Sequence, residues 1–155
     1  MVVLTTSQNM AIKTLTIIHT FLVLSLAAFA AFTFFGGPGF VNEFSMENDI
    51  FIYIVPIVAM VGYFASKYLY SRELTAINAS EDLKTKLALY QKANILKFAL
   101  LEGPAFLAFL QFMSNGYTLY FTIGTTLLLY LAMQSPTKAK AISELSLKDT
   151  EQKEL

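Results

Sequence analysis

The sequence predicts an all-α membrane protein, a four-transmembrane-helix bundle with its N- and C-termini in the cytoplasm. Three observations lead there. Of the 155 residues, 55% are hydrophobic and only 14% charged, against about 25% charged in an ordinary soluble domain. Four apolar runs approach the ~20 residues that cross a hydrocarbon core of ~30 Å as helix. None of them alternates in polarity as the strands of a membrane barrel do. Finally, Lys and Arg sit on alternate sides of those runs, the pattern that sets orientation in a bilayer.

The first span is expected at about 13–35. Leu15 to Phe35 holds no charge and one histidine. Lys13 before it and Ala28-Phe29-Ala30 within it imitate a cleavable signal, yet the run continues through Phe32, Phe34 and Phe35. A signal core is usually 7–15 residues, so the span is expected to be retained. Gly36-Gly37-Pro38-Gly39 ends it, because glycine accepts positive φ and proline cannot continue a helix. The second span is expected at about 50–70, with Pro56 bending it. Ser80 reads as the N-cap of the third helix, with Glu81 and Asp82 in its first turn. That helix runs from about residue 81 and crosses the membrane over about 93–113. Ser114-Asn115-Gly116 is short enough only to join antiparallel neighbours, so the fourth span, about 118–134, completes a hairpin. Residues 1–135 form the transmembrane domain, and 136–155 are expected as a polar cytoplasmic tail, solvated and partly disordered.

Orientation follows from charge. Lys13 precedes the first span; Lys67, Arg72, Lys84, Lys86 and Lys92 lie between the second and third; Lys138, Lys140, Lys148 and Lys153 follow the fourth. The other two connections carry no basic residue. Both termini are therefore expected in the cytoplasm.

Composition also excludes functions. Eleven basic residues balance eleven acidic ones, leaving no field to attract nucleic acid. With no cysteine and one histidine, a metal site lacks ligands. No nucleophile stands beside a base, and no phosphate-binding or dinucleotide fingerprint occurs. The expectation is a protein that is not an enzyme and carries no metal or cofactor.

The chemistry-bearing residues cluster in the third helix. Glu102 in Leu100-Leu101-Glu102-Gly103-Pro104-Ala105 places a carboxyl group inside the apolar stretch, where an ionised side chain costs several kcal/mol unless protonated or partnered. Pro104 lacks an amide proton and frees the carbonyl of Leu100. At 100° per residue Gln91 and Glu102 are almost eclipsed, and Asn94 is close in angle, so these polar groups can line one path inward. Lys97 points away from Glu102 and reads as a lysine snorkelling to the interface. His19, about a turn inside the first span, is the candidate proton partner of Glu102. Small residues at Ala27 and Ala31, and at Gly62 and Ser66, mark close helix contacts.

Ala99-Leu100-Leu101-Glu102 followed by Phe106-Leu107-Ala108-Phe109-Leu110 resembles the proton-carrying helix of rotary ATPase proteolipid (c) subunits. That resemblance implies Glu102 as a proton-binding carboxylate in a ring of copies. The family carries its carboxylate on the second helix of a hairpin, whereas here it lies on the first helix of the second hairpin. Over more of its length the chain is similar to small, uncharacterised four-span bacterial membrane proteins with an LLEGPA-type helix, which implies the bacterial inner (plasma) membrane. The expected function is an accessory or structural subunit of a membrane assembly. The alternative is a proton- or ion-coupled carrier or channel using the intramembrane carboxylate. The expected partners are the lipid bilayer and other membrane subunits or further copies of the chain in a homo-oligomer.

Overall fold

The structure, a computed structural model, describes residues 2–42, 49–78 and 80–152. Within them the chain is helical: α1 (Val2–Gly36), α2 (Phe51–Thr75), α3 (Leu83–Asn115), α4 (Thr118–Met133) and two short helices, α5 (Lys138–Glu144) and α6 (Asp149–Gln152). The only β-type pairing among the described residues is a single bridge between Val41 and Tyr117. Three helices are long and apolar enough to cross a membrane, Met10–Gly36, Phe51–Thr75 and Leu83–Asn115; α4 is apolar but shorter, at 16 residues.

α3 is the central helix, packed against α1, α2 and α4, while α2 and α4 barely meet. Its burial explains why. Phe98, Leu101, Ala105, Ala108, Phe109 and Phe112 are all fully buried, and the neighbouring helices each bring one apolar stripe to them, such as Leu15 and Leu26 from α1 and Leu127 and Leu131 from α4. The outward faces are apolar as well. Phe21, Leu24 and Phe32 of α1 and Ile57, Met60 and Phe64 of α2 are exposed, a surface suited to hydrocarbon rather than water.

The close contact expected from Gly62 and Ser66 is present. A side chain at Gly62 would collide with the Leu100 carbonyl oxygen and the Pro104 ring, 2.6 Å from a Cβ there. Pro104 thus frees the Leu100 carbonyl, and the glycine of the neighbouring helix covers it. Ser66 bonds the carbonyl of Tyr63 in its own helix.

Both glycine-containing connections end their helices as expected. α1 stops at Gly36, and Gly39 has φ of 89°. Gly116 caps α3 at φ 72° and donates to the Phe112 carbonyl at 2.7 Å. Val41 exchanges backbone hydrogen bonds with this turn, accepting from Thr118 and donating to Gly116. This hairpin end is closed further by Asp49, which accepts from Asn115 (2.7 Å), the Tyr120 hydroxyl (2.6 Å) and the Phe51 amide (2.9 Å).

Two expectations are corrected. Ser80 is not the N-cap of α3: its amide and hydroxyl bond the Asn78 side chain. This local turn competes with helix initiation, so the helix begins at Leu83 with Asp82 in extended geometry before it and no acidic residue in its first turn. The tail is not a solvated appendage. From Pro136 it turns back over the bundle, caps α5 with the Thr137 hydroxyl, and buries Ala141, Leu145 and Leu147. Lys86 of α3 and Glu151 pair at 2.8 Å with the lysine 2% exposed. The expected segment was polar in composition, but Ala141, Leu145 and Leu147 join the same buried core cluster, with Ile142 packed against it, and its charge finds a distant partner. Residues 153–155 lie outside the described region.

Candidate functional site

The end of the bundle covered by α5 contains a polar cavity of about 230 Å³ between α2, α3, α4 and the tail. One face of α3 supplies its floor. Lys86, Tyr90, Asn94 and Lys97 recur at spacings of four, four and three, which aligns them on one helical face. All four are buried. Lys86 meets Glu151 at the margin, and the other three line the cavity.

The tail contributes the carboxylate. Glu144 Oε2 accepts hydrogen bonds from the hydroxyls of Tyr70 (2.7 Å) and Tyr90 (2.9 Å). Glu144 itself is exposed, so solvent weakens both bonds, but the pair still ties α5 to α2 and α3 together. Asn94 is held by its own helix, its side-chain amide donating to the Tyr90 carbonyl at 3.0 Å.

Lys97 is the unusual member. It does not snorkel: the side chain is 8% exposed, with Nζ 3.8 Å from the centre of the Tyr70 ring and 5.6 Å from that of Phe98. The expectation assumed a lipid-facing position, but the face that carries Lys97 is the inward one. Among the described residues it makes no hydrogen bond or ion pair. Two more lysines border the cavity. Lys140 Nζ donates to the Ser135 carbonyl at 3.0 Å, and Lys67 Nζ lies 4.6 Å from the centre of the Tyr63 ring.

The remaining sequence candidates lie elsewhere. His19 is buried, packs tilted against Phe98 with ring centroids 4.9 Å apart, and its Nε2 donates to the Leu131 carbonyl at 2.8 Å. Leu131 also accepts from the Gln134 amide, so the imidazole caps the last turn of α4. Glu102 is half-buried and makes no hydrogen bond or ion pair among the described residues, to His19 or any other group. Gln91 is half-buried and does not line the cavity. The continuous polar path expected from Gln91 through Asn94 to Glu102 is not formed. Asn94 opens to the cavity, Gln91 does not, and fully buried Phe98 with the His19 ring against it fills the level below Glu102. Pro104 is buried against Gly62.

Glu144, Tyr70, Tyr90, Lys67 and Lys140 were not singled out in the sequence as site residues. The i, i+4, i+8, i+11 recurrence of Lys86, Tyr90, Asn94 and Lys97 was the available signal, since a polar face that long on a buried helix requires a polar cover.

Fold and site together define a class: an α-helical bundle with hydrocarbon-suited outer faces and a lysine- and tyrosine-lined cavity at one end. Comparison with protein-family models, with curated proteins and with solved structures finds no match.

Proposed function

We propose that this chain is a four-span protein of the bacterial inner membrane, with both termini cytoplasmic, that acts as an accessory or structural subunit of a larger membrane assembly. One observation carries the reading. Glu102 lies in the middle of α3 without a hydrogen bond or ion pair among the described residues. A carboxyl group at that depth must be protonated or find a partner. Beside it, Ala99 and Gly103 are exposed at small-xxx-small spacing, and a side chain added at Gly103 would meet nothing within 4 Å. Such a surface lets another helix backbone approach closely and bring a donor to the carboxyl. The distribution of Lys and Arg supports the cytoplasmic termini.

The test is the native mass and composition of the protein extracted in mild detergent at its natural expression level. Foreign subunits in fixed ratio are expected, and Glu102→Leu should release them while leaving the chain folded. A pure monomer or homo-oligomer overturns the subunit reading. Proton or ion flux in liposomes that is abolished by Glu102→Gln would establish the carrier or channel in its place.

A further inference from the structure

The cavity under α5 has an unbalanced charge. Lys67, Lys97 and Lys140 border it, against the single carboxylate of Glu144, and that carboxylate already accepts two phenolic hydrogen bonds. The excess is two positive charges, and of these groups only Lys97 is buried, Lys67, Lys140 and Glu144 being exposed to solvent. Among the described residues none of the three ammonium groups makes an ion pair, and Lys97, 8% exposed, has no oxygen acceptor there. Burying an ammonium group without an acceptor is costly. The Tyr70 ring at 3.8 Å offsets only part of that cost, because a ring face attracts a cation more weakly than an oxygen acceptor does.

From this geometry we infer that the cavity is a binding site for a phosphomonoester, with Lys97 as its central ligand and Lys67 and Lys140 at its rim. A phosphomonoester carries about −1.5 to −2 charge at neutral pH, which matches the excess. Its terminal oxygens supply the acceptor that Lys97 lacks, and further acceptors for rim lysines that border the same cavity. The volume of about 230 Å³ is far above the ~15 Å³ that admits one water, so a phosphoryl group fits with part of its ester. The Glu144–Tyr70–Tyr90 clamp closes the side formed by α5 and keeps both phenols turned toward the carboxylate. Phosphate selectivity therefore rests on the lysines. The shared chemistry admits two sources, a soluble phosphate ester or the headgroup of a phosphatidic-acid-type lipid.

The full chain, purified and delipidated in a neutral detergent, is titrated calorimetrically with inorganic phosphate, glycerol 3-phosphate, dihexanoyl phosphatidic acid and dihexanoyl phosphatidylcholine. Saturable binding of one equivalent of a phosphomonoester is expected, weakened at least tenfold in Lys97→Met and unchanged in Lys92→Met, whose lysine is exposed and paired with Glu73 at 3.1 Å. Binding of glycerol 3-phosphate identifies a soluble ester; binding of phosphatidic acid alone identifies the lipid headgroup. If Lys97→Met does not fold, the exposed pair Lys67→Gln and Lys140→Gln replaces it, with the same tenfold loss expected. Absence of binding, equal affinity for phosphatidylcholine, or undiminished affinity in Lys97→Met or in the Lys67→Gln and Lys140→Gln pair that replaces it overturns the assignment. The measurement uses the isolated chain and is unaffected by whether it has subunit partners.

Discussion

The two ends of the bundle use the same chemical device to opposite effect. At the hairpin end Asp49 accepts from Tyr120, Asn115 and the Phe51 amide; at the tail end Glu144 accepts from Tyr70 and Tyr90. Among the described residues no cation pairs with Asp49, and the aromatic rings of that end pack on one another, with ring centroids 5.1 Å apart for Phe40 and Phe112 and 4.9 Å for Phe112 and Phe121. The Asp49 carboxylate is satisfied by donors that carry no charge, and the backbone of Val41 bonds the turn beside it. Around Glu144 stand lysines that its own hydrogen bonds do not neutralise. A carboxylate bonded to tyrosine is a rivet where its surroundings are neutral. Where they are cationic, it leaves electrostatics for something else to complete.

The hairpin end should therefore fail through stability, and the largest effect is expected there. In Gly116→Val, a β-branched residue would have to adopt φ 72° and drive its Cβ into the Gly39 carbonyl. The left-handed conformation costs about 1–2 kcal/mol and the overpacking about 1–3 kcal/mol, so thermal unfolding in detergent should report a loss of about 3 kcal/mol. A change under 1 kcal/mol would mean the turn is not the rigid element described. Next is Asp49→Ala, which leaves the Tyr120 hydroxyl and the Asn115 amide without their acceptor. It should cost about 2–3 kcal/mol and leave phosphate binding at the other end intact; loss of both would show that the two ends are not separable.

At the tail end smaller effects on stability are expected. Lys86 holds the Glu151 carboxyl below the usual Glu range, aided by the Lys148 amide. A depressed carboxyl stabilises the docked tail above its unfolded pKa, and that contribution is lost as pH falls through the folded one. Limited proteolysis of the tail should accelerate on acidification below the ordinary carboxylate range and about tenfold at neutral pH in Glu151→Gln, equivalent to about 1.4 kcal/mol. Cleavage that is insensitive to both changes would detach the pair from tail docking. The smallest effect belongs to Lys97→Met. Replacing a buried unpaired ammonium with an apolar side chain of similar length should leave stability without phosphate within about 1 kcal/mol or raise it. A large loss of stability would make Lys97 a structural residue and erase the contrast between the ends.

The helices were legible because lipid-suited helices are apolar on nearly every face, and their ends are written in Gly and Pro at Gly36–Gly39 and in Asn115-Gly116. The cap of α3 was misread by two residues because Asn78 captures Ser80 before the helix begins. The tail was hidden for a different reason. Its docking depends on Lys86 meeting Glu151, 65 positions away, and on Leu145 and Leu147, neither of which local composition reveals. Of the candidate site, Asn94 and Lys97 were found, but Asn94 was grouped with Gln91 and Glu102 and Lys97 was turned toward the interface, rather than both being placed on the Lys86–Tyr90 face they share. His19 was read from its titration chemistry, whereas its place is decided by the Leu131 carbonyl at the end of α4.

The brevity of α4 reaches beyond the protein itself. Sixteen residues of helix rise only ~24 Å, about 6 Å less than a typical hydrocarbon core. If α4 crosses as the fourth span, lipids along it must compress or its flanks must be drawn inward, at a cost of fractions of a kcal/mol per Å. The annulus on that side would favour shorter acyl chains than the annulus along α3, whose 33 residues impose no such shortfall. The bundle would thus be thinner on one flank than the other, and bilayer thickness would bias where in a membrane, and against which neighbours, it settles.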